Sequence, residues 1–190
     1  MDYVKTKPIH INLNEIIHSC NAMNNIVMHH FKNSQKSFAG KSSIPTQLFN
    51  SYNLLMYPLP QFHELYSEIK QFFYDELSPN PDTKYYIQSW LNYYHKGDYI
   101  EWHSHWKPEL NTWHGFFCVN TEPSYTSYKI PNYPDIVDIE CKNNLLVMSP
   151  SNGDEHRSSE WAGDNPRITI AFDIVPREHI GVSINHWIPI

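Results

Sequence analysis

From Tyr85 onward the chain is divided into short runs rich in Tyr, Ile, Val, Phe and Trp, separated by turn residues and with no helical stretch between them. The runs are YYIQSWLNYY, DYIEWHSH, HGFFCV, SYTSYKI, DIVDIE, NLLVMS and RITIAFDIV. Aromatic and β-branched side chains suit a pleated, half-buried surface, and runs of this length bounded by turn residues read as strands. A parallel sheet needs a long crossover, usually a helix, between successive strands. About seven strands in roughly ninety residues leave no room for such crossovers, so the spacing predicts an antiparallel sandwich or barrel of jelly-roll type.

Upstream the texture is different. Gln61 to Leu77 places Phe62, Leu65, Ile69, Phe72, Phe73 and Leu77 on one helical stripe, with Pro58 and Pro60 at its start and Ser78-Pro79 at its end. Asn14 to Lys32 carries Ile16, Ile17, Met23, Ile26, Val27 and Phe31 at looser helical spacing, Ile9 to Leu13 alternates like an edge strand, and Asn33 to Thr46 reads as an exposed loop near the site. At 190 residues the chain suits one domain with a substantial core. Residues 1–84 are expected to form a helical and loop region packed on the sheet, 85–176 the β core and 177–190 a tail.

A net charge of −6 disfavours a nucleic-acid partner, which usually requires a basic stripe. Cys20, Cys118 and Cys141 are odd in number and far apart, which points to neither a disulfide framework nor a thiolate metal site. With no signal-peptide layout and no apolar run of about 20 residues, the expected location is the cytoplasm, without membrane contact.

Chemistry concentrates in the histidines. His103 and His105 stand at i and i+2, so on an extended strand both point to one face and can share a metal. His156 follows the apolar run NLLVMS in the turn-rich stretch PSNGDEHR, where a loop-mounted imidazole can meet the other two. Three imidazoles with open positions suit a redox-active first-row metal better than calcium or magnesium. Alone, the His-x-His pair is equally well explained by two surface histidines, so the context decides.

That context, N-Y-Y-H-K-G-D-Y-I-E-W-H-S-H from Asn92 to His105, resembles the pattern N-x-Y-x-x-G-x5-H-x-[D/E] of the Fe(II)/2-oxoglutarate-dependent oxygenases, with His105 where the acid usually stands. His156 and Arg167-Ile-Thr169 match that superfamily's distal histidine and later R-x-[S/T/N] strand, and Thr126-Ser-Tyr128 looks like its middle strand. Covering about residues 85 to 176, the resemblance is nearest to short phage-type and prolyl-hydroxylase-like members. It implies a double-stranded β-helix, a mainly β, cupin-like jelly-roll with N-terminal helices. Iron(II) would be held by His103, His105 and His156, with 2-oxoglutarate and O₂ as co-substrates and a peptide side chain or small molecule as substrate. Arg167 and Thr169 would hold the far carboxylate of 2-oxoglutarate, with Asn92 and Tyr94 as further donors. The departure at His105 removes the negative charge that the usual acid brings to the metal. Glu101, two residues before His103, is a candidate carboxylate partner or a group that orients an imidazole.

Gly97 to Gly115 also resembles the first cupin signature, with Glu109 as its acid, which would imply a three-histidine thiol dioxygenase without 2-oxoglutarate. A third reading is a non-catalytic binding module that holds zinc or no metal. Trp90, Trp102, Trp106, Trp113 and Trp161 read as packing or rim residues, His114 as a satisfied strand histidine and Cys118 as a buried thiol. Asp173, shortly after the Arg-x-Thr strand, argues further against a nucleobase substrate.

Overall fold

The computed structural model describes residues 3–31, 40–41, 44–181 and 186–190. In chain order its elements are β1 (Lys5–Pro8), α1 (Leu13–Phe31), β2 (Gly40–Lys41), α2 (Ile44–Gln47) and α3 (Pro60–Leu77), then β3 (Tyr85–Tyr94), β4 (Tyr99–His103), β5 (Trp113–Asn120) and β6 (Tyr125–Lys129). They are followed by β7 (Ile136–Glu140), β8 (Leu145–Pro150), β9 (Glu155–Ser158), β10 (Arg167–Pro176) and β11 (Ile188–Pro189).

The strands form two sheets, ordered β1-β8-β5-β10-β3-β11 and β2-β4-β9-β6-β7, and every pairing is antiparallel. Within β3 to β10 the large sheet takes β3, β5, β8 and β10 while the small sheet takes β4, β6, β7 and β9. That interleaving is the double-stranded β-helix, with the two inner faces closing on a shared interior.

Strand β10 lies at the heart of the large sheet, between β3 and β5, and all ten of its residues are buried. One face carries Ile168, Ile170, Phe172 and Ile174 into the hydrophobic core. The other turns Arg167, Thr169, Ala171 and Asp173 to a cavity between the sheets, as the two-residue period of a strand requires. Gly115 lets β5 pack closely beside β10, since a Cβ there would collide with the Val147 carbonyl and the Phe172 ring.

Helix α3 begins with Pro60 at its first turn and stops at Ser78, which is left-handed with φ 44°. Its Phe62, Leu65, Ile69, Phe72 and Phe73 are buried, and Phe73 meets Tyr85 and Trp113 edge-on with ring centroids 5.2 and 5.0 Å apart. Helix α1 buries Ile16, Cys20, Met23 and Val27, packing on β3 and β5, whereas Ile26, placed on the apolar stripe by sequence, is exposed.

Several expected elements shift. The first strand is Lys5–Pro8 rather than Ile9 to Leu13. It lies at the sheet edge, where alternating exposed Thr6 and Pro8 suit an uncovered flank, while Ile9 and Ile11 drop their side chains into the core outside the ladder. The expected loop from Asn33 to Thr46 includes β2 and the first part of α2, and Thr46 is buried; residues 33–39 and 42–43 lie outside the described residues. The tail adds β11, paired to β3. Most consequential, His156 stands on a strand, β9, rather than on a loop.

Candidate metal centre

His103 closes β4, and His156 sits directly opposite it in the antiparallel ladder, with ring centroids 4.3 Å apart. His105 lies two residues past the end of β4, so the two histidines do not share one strand as the spacing predicts. Its ring nevertheless returns to the cluster, 5.4 Å from that of His103 and 5.1 Å from that of His156, and stacks on Trp90 at 5.9 Å. One ligating nitrogen from each of His103, His105 and His156 lies within 4.8 Å of the others.

Nδ1 partners orient two of these rings. His103 Nδ1 lies 2.8 Å from the Glu101 carbonyl and His105 Nδ1 lies 2.6 Å from Asp173 Oδ1. Assigning the ring protons to those nitrogens leaves both Nε2 lone pairs for a cation, the arrangement that carbonyl and carboxylate partners impose on metal-binding imidazoles. Trp106 Nε1 donates to the other oxygen of Asp173 at 3.0 Å, which fixes the carboxylate in turn. Glu101 therefore contributes through its backbone; its side chain is exposed.

Protonation favours ligation. Burial, and then the neighbouring His105, pull His103 down to about 4. Burial, and then His114 and His103, hold His156 well below the ordinary imidazole range. Burial also works against charge on His105, but the Asp173 carboxylate outweighs it and carries His105 above its ordinary value. A histidine whose folded value is depressed costs stability once the unfolded chain takes up a proton. Metal-free protein should therefore lose stability as pH falls from about 6.5 toward 4, with a fall in Tm on the order of 5 °C from His103 and a further fall in the same direction from His156. His105 acts in the opposite sense, its contribution complete below about 6.5 and lost as pH rises through its folded value. Thermal melts of His103→Gln against wild type across this window check the slope, which should flatten in the variant.

The sequence predicts a satisfied strand histidine at His114 and marks no role for Asp154, yet both adjoin the cluster. His114, on β5, has its ring 4.8 Å from that of His105 and 4.5 Å from that of His156. His114 Nε2 contacts Asp154 Oδ2 and Ser149 Oγ, both at 2.9 Å, and Tyr3 donates its hydroxyl to Asp154 Oδ1 at 3.2 Å. Tyr128 stacks on His156 with centroids 5.4 Å apart. Only strand register reveals these neighbours, since it places Asp173 opposite His114 and Tyr128 opposite His156.

The histidines line a cavity of about 380 Å³. Arg167 lines it too, from the start of β10, whereas the Asp173 that bonds His105 stands further along that strand. Arg167 is 3% exposed and donates from Nε to Ser124 Oγ at 3.0 Å and from Nη2 to Cys141 Sγ at 3.6 Å, with Tyr94 beneath it at 5.8 Å. A hydrogen bond from Cys118, and then Arg167 itself, lower the Cys141 thiol against the effect of burial. No carboxylate pairs with Arg167 among the described residues. Asn92 donates to Thr169 Oγ1 at 3.2 Å and accepts from Thr46 Oγ1 at 2.8 Å, and Asn92, Tyr94, Thr169 and Arg167 all line the cavity. Trp90, Trp106, Phe49 and Phe116 supply its apolar wall. Glu109, which the cupin reading needs, is exposed on the turn Pro108–Leu110 and does not line the cavity. No helix among the described residues is long and apolar enough to cross a membrane.

No protein-family model and no curated protein sequence matches the chain. Solved structures do. A Pseudomonas putida prolyl-4-hydroxylase aligns with TM-score 0.60 over 93% of this chain and 94% of its own, at 10% identity. A Trichoplax adhaerens prolyl hydroxylase, solved with a hypoxia-inducible-factor peptide, aligns with TM-score 0.64 over 96% and 87%, also at 10% identity. SnoK, a non-heme α-ketoglutarate-dependent carbocyclase of nogalamycin biosynthesis, aligns with TM-score 0.60 over 97% and 85%, at 12% identity. The chain thus has the double-stranded β-helix fold of non-heme 2-oxoglutarate oxygenases.

Proposed function

We propose that the protein is an iron(II)- and 2-oxoglutarate-dependent oxygenase that oxidises a peptide side chain or small molecule, hydroxylation being the simplest outcome. The observation that carries this reading is one cavity lined both by three imidazoles and by a buried arginine that contacts Ser124 Oγ and Cys141 Sγ and pairs with no carboxylate among the described residues. A buried guanidinium is costly unless an anion meets it. A dicarboxylate with one end on a metal and the other on Arg167 fits both. The similarity to 2-oxoglutarate-dependent structures supports the same choice of co-substrate, and the exposed Glu109 counts against the cupin alternative.

His103, His105 and His156 fit iron(II) as neutral nitrogen donors that leave positions open. When bound, iron(II) with 2-oxoglutarate and O₂ supplies oxidative decarboxylation to succinate and CO₂, coupled to oxidation of a substrate C–H bond. The chain's own residues do the rest. Arg167 binds the far carboxylate through charge and directed N–H donors, and Asn92 and Thr169 orient it. The wall of Trp90, Trp106 and Phe116 excludes water and favours an uncharged substrate group beside the metal.

Asp173 compensates for the missing acid. Three neutral imidazoles bring no charge, but Asp173 lies one hydrogen bond behind His105 and raises the basicity of that ring. Asp173→Asn should weaken Fe(II) or Co(II) binding about 10- to 100-fold, the usual cost of losing such a partner. Metal titration of the purified variant measures this, and unchanged affinity would reduce Asp173 to a packing role.

Turnover tests the function as a whole. Iron-loaded protein given 2-oxoglutarate and O₂ should form succinate even without substrate, at a slow uncoupled rate visible by NMR. Oxygen uptake driven by a free thiol, with no succinate, would favour the thiol dioxygenase instead.

A further inference from the structure

Behind the three-histidine position lies a second set of donors. His114, Asp154 and His156 are all buried, and a ligating atom from each lies within 4.8 Å of the others. His156 has two ring nitrogens, and its Nδ1 is buried with no hydrogen-bond partner, 4.0 Å from Asp154 Oδ2. An orphaned ring nitrogen in the interior is costly, and one aimed at a carboxylate already in contact with a third donor marks a place for a cation. We infer that His114 Nε2, Asp154 and His156 Nδ1 form a second divalent-cation position, which shares His156 with the first as a bridging imidazole.

The donor set defines the ligand class. Two imidazoles and one carboxylate select divalent first-row metals such as iron, manganese, cobalt or zinc, whereas calcium and magnesium want mostly oxygen. Asp154 is placed for the role, with Oδ2 2.9 Å from His114 Nε2 and 4.0 Å from His156 Nδ1. Tyr3, donating to the other Asp154 oxygen, would orient the carboxylate as outer partners of metal ligands do.

Occupancy moves protons in a defined way. With the first metal on His156 Nε2, the ring proton sits on Nδ1; binding at the second position displaces it to solvent and leaves a bridging imidazolate. Ligation by His114 uses the Nε2 lone pair, so the hydrogen that Nε2 shares with Asp154 in the metal-free protein moves to Nδ1.

Metal counting tests the inference, using untagged, chelator-treated chain titrated anaerobically with Co(II) in equilibrium dialysis. Wild type should bind two Co(II) with magnetic coupling between them, seen as a loss of EPR intensity when the second binds. His114→Gln and Asp154→Asn should each retain one uncoupled Co(II), as should His103→Ala by losing the other position. The Asp154→Asn change preserves shape, so it decides the matter should His114→Gln fail to fold. A single Co(II) in wild type that persists in both of these variants and vanishes in His103→Ala would overturn the second position while leaving the proposed iron site standing. A single Co(II) lost in His114→Gln and Asp154→Asn but kept in His103→Ala would instead leave this position as the metal centre and overturn the iron site.

Discussion

Arg167→Ala is expected to raise the dissociation constant for 2-oxoglutarate about 100- to 1,000-fold while leaving Co(II) affinity within a few-fold of wild type. The magnitude follows from burial. Arg167 is 3% exposed, and its pocket offers a dicarboxylate little other charge. Removing one member of a buried charge pair costs about 3–5 kcal/mol, because the partner is left uncompensated. The insensitivity to metal follows from geometry, since Arg167 contacts Ser124 and Cys141 from the start of β10, whereas the Asp173 that bonds His105 stands further along that strand. Calorimetric titration of metal and then of 2-oxoglutarate separates the two effects. Equal loss of both would mean that Arg167 holds the fold together through Ser124 and Cys141 rather than holding an anion.

His156→Ala should have the larger effect on metal. It removes the imidazole that lies opposite His103 in the ladder and neighbours the other histidines. Tight metal sites are worth about 10–16 kcal/mol over some four ligands, so losing one lowers affinity by at least about 100-fold. Stability supplies a second readout. Metal at 1,000 times its dissociation constant adds about 4 kcal/mol, which raises Tm on the order of 10 °C for a chain of this size. That rise should appear in wild type and be absent in His156→Ala. The metal-free variant should melt no lower than metal-free wild type at acid pH, because a buried imidazole that resists protonation has been removed.

The fold was legible where local pattern reports on burial. The aromatic and β-branched runs after Tyr85 became the strands of the two sheets, and the stripe from Phe62 to Phe73 became the buried face of α3. Strand β9 escaped because Glu-His-Arg-Ser has no apolar alternation; what makes it a strand is pairing on both sides, with β4 and β6. In the site, His103 and Arg167 were marked by spacing to their neighbours. His114 and Asp173 were not, since each sits in an apolar run with nothing beside it to signal chemistry. They meet only because β5 and β10 pair with Asp173 opposite His114. Register between strands distant in sequence is set by the whole sheet, and no local window contains it. The carboxylate partner of His105 is legible only in three dimensions, where Asp173 reaches it from β10.

Whether metal and 2-oxoglutarate meet in one cavity is tested most directly by an anaerobic optical titration. Iron(II) is added to metal-free protein, followed by 2-oxoglutarate. The arrangement of His103, His105, His156 and Arg167 predicts a visible metal-to-ligand charge-transfer band that grows with 2-oxoglutarate to one equivalent and is strongly weakened in Arg167→Ala. Iron binding without any such band at saturating 2-oxoglutarate would contradict it.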